Sequence, residues 1–316
     1  MKTLIYGAGP IGRWIALGLH NAGKDVTLLA RNQTYELIKN NGIVIVDGHT
    51  NKKRGAQVKV TDKLDPNDQY DLIVVPMRKS SRVAVCPILA ENKHLKNILF
   101  LGNDVSGFHQ YFEYLPREKV LLGFPGAGGG YDGQDLVFVD TEKPNGKKGP
   151  IFMGELDGKV RERTKQIKEF FKSADQPIHL ENDIDGWLKY HFAFIGPIAG
   201  LIFKCNLDFQ AVAADKEGIK KYVLACREAG NVLKRVGYTK RQPFIFNIFY
   251  WLPLFLAPTV FKRQFSSRHA EVGMGLHAKA IGSELHELME EFAELKKKAG
   301  IKTPNLDELL AYVPSE

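Results

Sequence analysis

Residues 3–31 read TLIYGAGPIGRWIALGLHNAGKDVTLLAR. An apolar run (Thr3, Leu4, Ile5, Tyr6) enters Gly7-Ala8-Gly9-Pro10-Ile11-Gly12, a helical pattern follows, and a second apolar run from Val26 to Leu29 leads to Arg31. Strand, glycine turn, helix, strand is the order of the first βαβ unit in a dinucleotide-binding fold. Each glycine has a physical task in that unit. Gly7 turns the chain out of the strand, Gly9 leaves room for a pyrophosphate, and Gly12 lets the helix pack close to the sheet. Unpaired N–H groups and the positive end of the helix dipole face the phosphates, so Gly7, Gly9, Pro10, Ile11 and Gly12 are the cofactor-binding candidates.

The end of the second run selects between cofactors. NAD sites usually place Asp or Glu there for the ribose 2′-hydroxyl, whereas this chain has Ala30, Arg31 and Asn32. A guanidinium suits a 2′-phosphate, so the expected cofactor is NADP.

A chain of 316 residues suits two domains. The net charge of +8 comes from dispersed lysines rather than a basic block with interleaved aromatics. It is therefore read as a field for phosphate-rich cofactors and anionic substrates, with no nucleic acid as partner. Three well-separated cysteines, Cys86, Cys205 and Cys226, fit neither a disulfide framework nor a zinc site. No metal is expected. The N-terminus runs straight into a strand rather than a secretory signal, and a reducing, cytoplasmic location follows as the expectation.

Further along, 71–76 (DLIVVP), 97–101 (NILFL) and 119–123 (KVLLG) are continuous apolar runs, as expected of parallel strands buried on both faces. Residues 42–47 and 56–61 suggest a hairpin insertion, and 135–140 with 151–154 suggest antiparallel strands closing the sheet. Ligands in open α/β sheets lie beyond the carboxyl ends of the strands. Met77, Arg78, Lys79, Asn103 and the glycine-rich 124–130 are thus candidates. Arg78 and Lys79 suit cofactor phosphate or plain solvation, and Asn103 suits the nicotinamide side or a helix cap. Beyond Asp183 the pattern turns helical, which gives an α/β dinucleotide-binding domain over 1–183 and an all-α domain over 184–316. Within the latter, 187–204 reads as an apolar helix pair or a kinked helix, broken by Gly196-Pro197, 216–236 as an amphipathic helix, and 264–299 as one long helix bearing His277 and Glu284. Residues 243–261 (PFIFNIFYWLPLFLAPTVF) carry no charge. Pro253 and Pro258 argue against a membrane span, so the expectation is a buried dimer interface or an apolar lid over the substrate cleft, with a homodimer left open and no membrane contact.

Reducing a carbonyl with a nicotinamide requires an acid for the oxygen and a group that orients the substrate. Lys189, just past the domain boundary, is the candidate acid, with a solvated lysine as the plain alternative. Glu284, set among small and apolar residues unlike Glu287, Glu290 and Glu291, suits substrate binding or simple pairing.

At these residues the chain resembles the ketopantoate reductase family, the 2-dehydropantoate 2-reductases of pantothenate biosynthesis. The likeness runs through Gly7 to Gly12, Arg31, Asn103, Trp187-Leu188-Lys189, Cys226-Arg227-Glu228-Ala229 with Gly237, and Ser283-Glu284 followed by Gly300-Ile301 and Pro304. It implies a Rossmann domain and a helical domain with NADPH and a small carbonyl substrate in the cleft between them. It further implies Lys189 as catalytic acid, Glu284 as the carboxylate holding the substrate hydroxyl, and Asn103 near nicotinamide and substrate. Arg78 falls where the family commonly has a cofactor lysine.

The departures bear on the substrate. Where the family presents substrate-gripping asparagines, this chain has Ala193 and Gly196, and the nearest candidates for a substrate-binding serine, Ser266 and Ser267, are out of register. Losing such partners changes selectivity by orders of magnitude, so the substrate is expected to be another 2-oxo acid or related carbonyl, larger or more apolar than ketopantoate. The alternative is a non-catalytic NADP(H)-binding or redox-sensing protein whose apolar segment docks a partner or a membrane surface.

Overall fold

Four strands are buried along their whole length: β1 (Thr3–Tyr6), β2 (Val26–Leu29), β6 (Leu72–Val75) and β7 (Ile98–Leu101). Strands without a polar face need cover on both sides, and here they lie side by side in parallel. They form the centre of an eight-stranded sheet of order β12-β11-β8-β7-β6-β1-β2-β5. Its outer members are β5 (Lys59–Thr61), β8 (Val120–Phe124), β11 (Ile151–Glu155) and β12 (Ile178–Leu180), and only β11 against β8 is antiparallel. The computed structural model describes residues 1–141, 146–240, 243–276 and 282–314, with the backbone alone of Gly282 and Ser283.

The chain divides into two units, Met1–Gly102 with Phe108–Ile184, and Asn103–Gly107 with Asp185–Glu316. The first is a Rossmann-type α/β unit carrying α1 (Pro10–Asn21), α2 (Asn32–Asn41), α3 (Lys79–Ala90) and α4 (Glu162–Lys172). It holds a second sheet, β4-β3-β10-β9, built from β3 (Ile43–Asp47), β4 (Lys53–Ala56), β9 (Gly128–Asp132) and β10 (Asp135–Val139).

This second sheet corrects two expectations. Residues 42–47 pair with Lys53–Ala56, not with 56–61. The Asp47 carboxylate accepts the N–H groups of His49 and Thr50 and closes a short turn, so the return strand starts at Lys53 and Lys59–Thr61 is left to extend the main sheet beside β2. Likewise, 135–140 does not close the main sheet. Phe138 of β10 stacks on Trp14 of α1 at 5.5 Å, and the Trp14 indole donates to Asp140 at 3.1 Å.

The second unit is helical: α5 (Ile184–Lys204), α6 (Phe209–Ala214), α7 (Lys216–Arg235), short α8 (Ile248–Trp251), α9 (Ala257–Phe265), and the helices Gly282–Ala299 and Pro304–Leu310. Helix α5 continues through Gly196 and Pro197 as one helix, which overturns the helix pair. Pro197 forfeits one backbone bond, but burial of Ile198, Leu201 and Ile202 in the core outweighs that loss. The expected single helix over 264–299 is interrupted. Chain α9 stops at Phe265, the Ser267 hydroxyl caps a new turn by accepting from the Ala270 N–H, and a wide turn spans Glu271–Leu276. His277, Ala280 and Ile281 lie outside the described residues.

Asp140 couples α1 to the second sheet. Burial pushes its carboxyl up, but the Trp14 hydrogen bond and the Arg54 and Lys148 cations outweigh this and hold it below the usual carboxylate range. Asp140→Asn should cost about 1–3 kcal/mol at pH 7 by urea unfolding. Because the folded value is depressed, the gap between variant and wild type is full above the unfolded carboxyl value of about 4 and closes as pH falls through the folded one.

Candidate functional site

The turn between β1 and α1 is built for close approach. Gly7 has φ +126°, a conformation that side chains resist, and its N–H donates to the Leu29 carbonyl. A Cβ on Gly12 would lie 1.9 Å from the Gly7 carbonyl oxygen, so no other residue fits there. A Cβ on Gly9 would meet nothing within 4 Å, which leaves open space beside the helix start. Pro10 occupies the first helical position, where its missing N–H costs nothing, and no side chain caps α1. The first-turn N–H groups that helices leave without internal partners, Ile11 and Gly12 among them, thus remain available to an anion. These observations fit a dinucleotide pyrophosphate.

Two arginines frame this turn. Arg31, exposed after β2, donates from Nη2 to the Tyr6 hydroxyl, and its guanidinium sits 5.6 Å from the Tyr6 ring centroid. Arg13 was missed from sequence. Its Nε donates to the Ala8 carbonyl at 2.8 Å while its guanidinium lies 5.8 Å from the Tyr131 ring, bracing the turn from behind. Only the approach of Tyr131 to Arg13 across the fold reveals that role. After β6, Arg78 is the exposed N-cap residue of α3, and Lys79 beside it is buried. Burial also pushes the Cys86 thiol up to about 11 and raises those of Cys226 and Cys205, which keeps all three free cysteines unreactive at neutral pH.

In the second unit, the described polar or charged residues that are buried are Asn103, Asp104, Lys189, Glu284 and Thr303. Two have evident structural tasks: Asp104 accepts the Gly107 N–H, and Thr303 donates to Asp307 in the first turn of the last helix. The other three are the residues the sequence singled out. Lys189, 2% exposed, pairs with Asp185 one helical turn earlier and lies 4.9 Å from the Tyr238 ring centroid. The Tyr238 hydroxyl donates to the other Asp185 oxygen at 2.8 Å, and the Tyr190 hydroxyl donates to the Tyr238 carbonyl. Asp185 and Tyr238 escaped the sequence reading, although the four-residue spacing from Asp185 to Lys189 carried a signal for the first.

Glu284 stands in the first turn of its helix, where the dipole favours a carboxylate. One helical face further on, Glu291 corrects its expected exposure. Its carboxylate accepts the N–H groups of Val105 and Ser106 and the Ser106 hydroxyl, fixing the loop that begins at Asn103. Ser267 is consumed as a cap. Gly196 leaves no vacancy, since a Cβ there would lie 3.0 Å from the Phe192 ring.

Other residues behind the resemblance do structural work. Arg227 donates to the Phe249 and Leu252 carbonyls, and Glu228 accepts from Asn305 and the Leu306 N–H.

A glycine turn at a helix start in a parallel sheet, followed by a helical unit with buried polar residues, defines a dinucleotide-binding oxidoreductase architecture. Residues 3–157 match the family described as ketopantoate reductase PanE/ApbA. The chain is 26% identical over 252 residues to the uncharacterized oxidoreductase YkpB of Bacillus subtilis, covering 75% of this chain and 76% of that protein. It is 26% identical over 191 residues to a 2-dehydropantoate 2-reductase of Pyrococcus abyssi, covering 60% and 59%. Among solved structures, D-mandelate dehydrogenase with NADH and anilino(oxo)acetate superposes with a TM-score of 0.78 at 18% identity, over 99% of this chain and 97% of that one. A 2-dehydropantoate 2-reductase from Geobacter metallireducens gives 0.72 at 15% identity over 99% of both chains. Residues 3–157 thus carry a ketopantoate reductase domain, at low identity to the relatives.

The Lys189 environment makes a definite prediction. Removing the half-buried carboxylate strands the buried ammonium, so Asp185→Asn should cost about 2–4 kcal/mol in chemical unfolding. The double variant Asp185→Leu/Lys189→Met should recover most of that loss.

Proposed function

We propose that this protein is an NADPH-dependent reductase of a 2-oxo acid or related carbonyl, with a substrate more apolar than ketopantoate. The observation that carries the reading is the burial of Lys189, paired with the half-buried Asp185 beneath the Tyr238 ring, in a unit whose described buried polar residues also include Asn103 and Glu284. Keeping an ammonium and a carboxylate from water is costly, and a fold that does so at family catalytic positions supports a chemical use for them.

When bound, the nicotinamide supplies a hydride to the carbonyl carbon. Lys189 Nζ gives a proton to the carbonyl oxygen, so that the C=O double bond becomes CH–OH. Asp185 anchors the ammonium from the preceding turn, and the Tyr238 ring covers it. Asn103, on a loop tied down by Glu291, orients the carbonyl, and Glu284 accepts the substrate hydroxyl.

The preference for an apolar substrate rests on α5. Ala193 is fully buried, and the Phe192 ring fills the space beside Gly196, packing 5.2 Å from Phe292. Core packing thus occupies the positions where the resemblance would place amides, so these positions offer a polar substrate no hydrogen-bonding group.

The 2′-phosphate reading rests on Arg31. Its bond to Tyr6 and its stack on that ring hold the guanidinium at the carboxyl ends of β1 and β2, which pair in register Tyr6 to Leu29. Arg78 and Lys79 after β6 add positive charge for the phosphates.

The direct test is oxidation of NADPH across a panel of 2-oxo acids, ketopantoate included. Turnover should be greatest with branched or aromatic substrates, and ketopantoate turnover equal to theirs would refute the apolar preference. Lys189→Ala should lower kcat about a hundredfold or more while NADPH still binds by fluorescence titration. Arg31→Ala should lower kcat/KM for NADPH roughly ten- to hundredfold and leave NADH use nearly unchanged, as expected for one charged hydrogen bond.

A further inference from the structure

The uncharged stretch 243–261 is not buried within the chain. It folds as a bent helical pair, Phe244–Trp251 and Leu254–Phe265, turned by 106°, and no single described helix is long and apolar enough to cross a membrane. One face is anchored: Phe249, Phe261 and Phe265 pack around Tyr222, and Phe246 packs against Phe249 and Tyr190. The opposite face presents Phe244, Ile245, Trp251, Phe255, Leu256 and Val260, from 41% to 75% exposed. A large apolar patch of this kind marks an interaction surface.

Charge identifies what it meets. Between residues 229 and 270 the sequence has seven Lys or Arg and no Asp or Glu. Beside the apolar ridge lies an open groove of about 740 Å³ whose lining includes Lys216, Lys262, Arg263, Thr259 and Ser266. Among the described residues, none of these three cations has a carboxylate within ion-pair distance. The acids flanking Lys216 are engaged elsewhere, Asp215 with Lys204 and Glu217 with Lys220. Aromatic and aliphatic side chains at the crest, with cations and hydroxyls alongside, match the layering of a bilayer's acyl boundary and phosphate headgroups. A two-fold dimer through the same patch would set one basic rim against another, a repulsive arrangement.

We infer that the bent segment 244–265 docks the protein on an anionic phospholipid surface. Trp251, Phe255, Leu256 and Val260 enter the acyl boundary, while Lys262, Arg263 and Lys216 take headgroup phosphates. The segment lies in the plane of the interface and does not span it.

The test uses the full chain with vesicles of phosphatidylcholine mixed equally with phosphatidylglycerol, against phosphatidylcholine alone. Trp14 and Trp187 are buried whereas Trp251 is 65% exposed, so brominated acyl chains should quench chiefly Trp251. Expected are co-sedimentation with the anionic vesicles, weakening as salt rises, and quenching that Trp251→Phe abolishes. Trp251→Glu/Phe255→Glu should reduce binding at least about tenfold, and Lys262→Glu/Arg263→Glu should remove the preference for anionic vesicles. Soluble-substrate turnover and thermal midpoints of these variants should match wild type, which separates this docking from the reductase reading. Absence of sedimentation at low salt, or binding insensitive to both variants, would overturn the inference. So would a lipid-free dimer that Trp251→Glu dissolves, which assigns the patch to a second copy. Complete displacement by inorganic phosphate without any quenching would reassign the groove to a free anion.

Discussion

The first unit hangs on how closely α1 approaches the turn that precedes it. With the Gly7 carbonyl where a Cβ of Gly12 would need to be, the helix start sits hard against the end of β1. That approach leaves the first-turn N–H groups facing open space beside Gly9, which is what an anionic cofactor requires. It also brings Trp14 against Phe138 and Asp140, so that the same helix covers the main sheet and carries the second one. Binding surface and core packing therefore share one steric constraint, and a larger residue at position 12 would disturb both.

The second unit is organised differently, around burial of charge. Lys189 has Asp185 and Tyr238 as its partners, and Tyr238 is held in turn by Tyr190, which belongs to the same helix as the lysine. Such a network adds little net stability relative to apolar packing but fixes one geometry. Glu291 plays a comparable part for the loop beginning at Asn103, where two backbone N–H groups and a hydroxyl converge on one carboxylate. Both arrangements hold their groups in one geometry rather than merely hide them.

Around this framework the family pattern has been redistributed. Arg227 and Glu228, within the stretch that marks the resemblance, act as braces: the first holds the apolar segment by two carbonyls, the second holds the start of the last helix. On α5, Ala193 and the Phe192 ring beside Gly196 belong to the apolar core.

The sequence by itself determined the nucleotide-binding turn, the parallel core strands and the residues worth watching, because each rests on local physics. Glycines at fixed offsets, apolar runs without alternation and a guanidinium in place of a carboxylate are legible without a partner. The sheet to which 56–61 and 135–140 belong was not legible, since pairing depends on the Asp47 turn and on Trp14 meeting Phe138 across the fold. Continuity of α5 through Pro197, the break at Ser267, the partners of Lys189 and the task of Glu291 were also decided by tertiary packing. The uncharged segment shows the division most plainly. Composition announced it, but only folding settled which half of its aromatic residues faces the core and which faces outward, because burial depends on Tyr222 and its neighbours in space and not on the segment's own order.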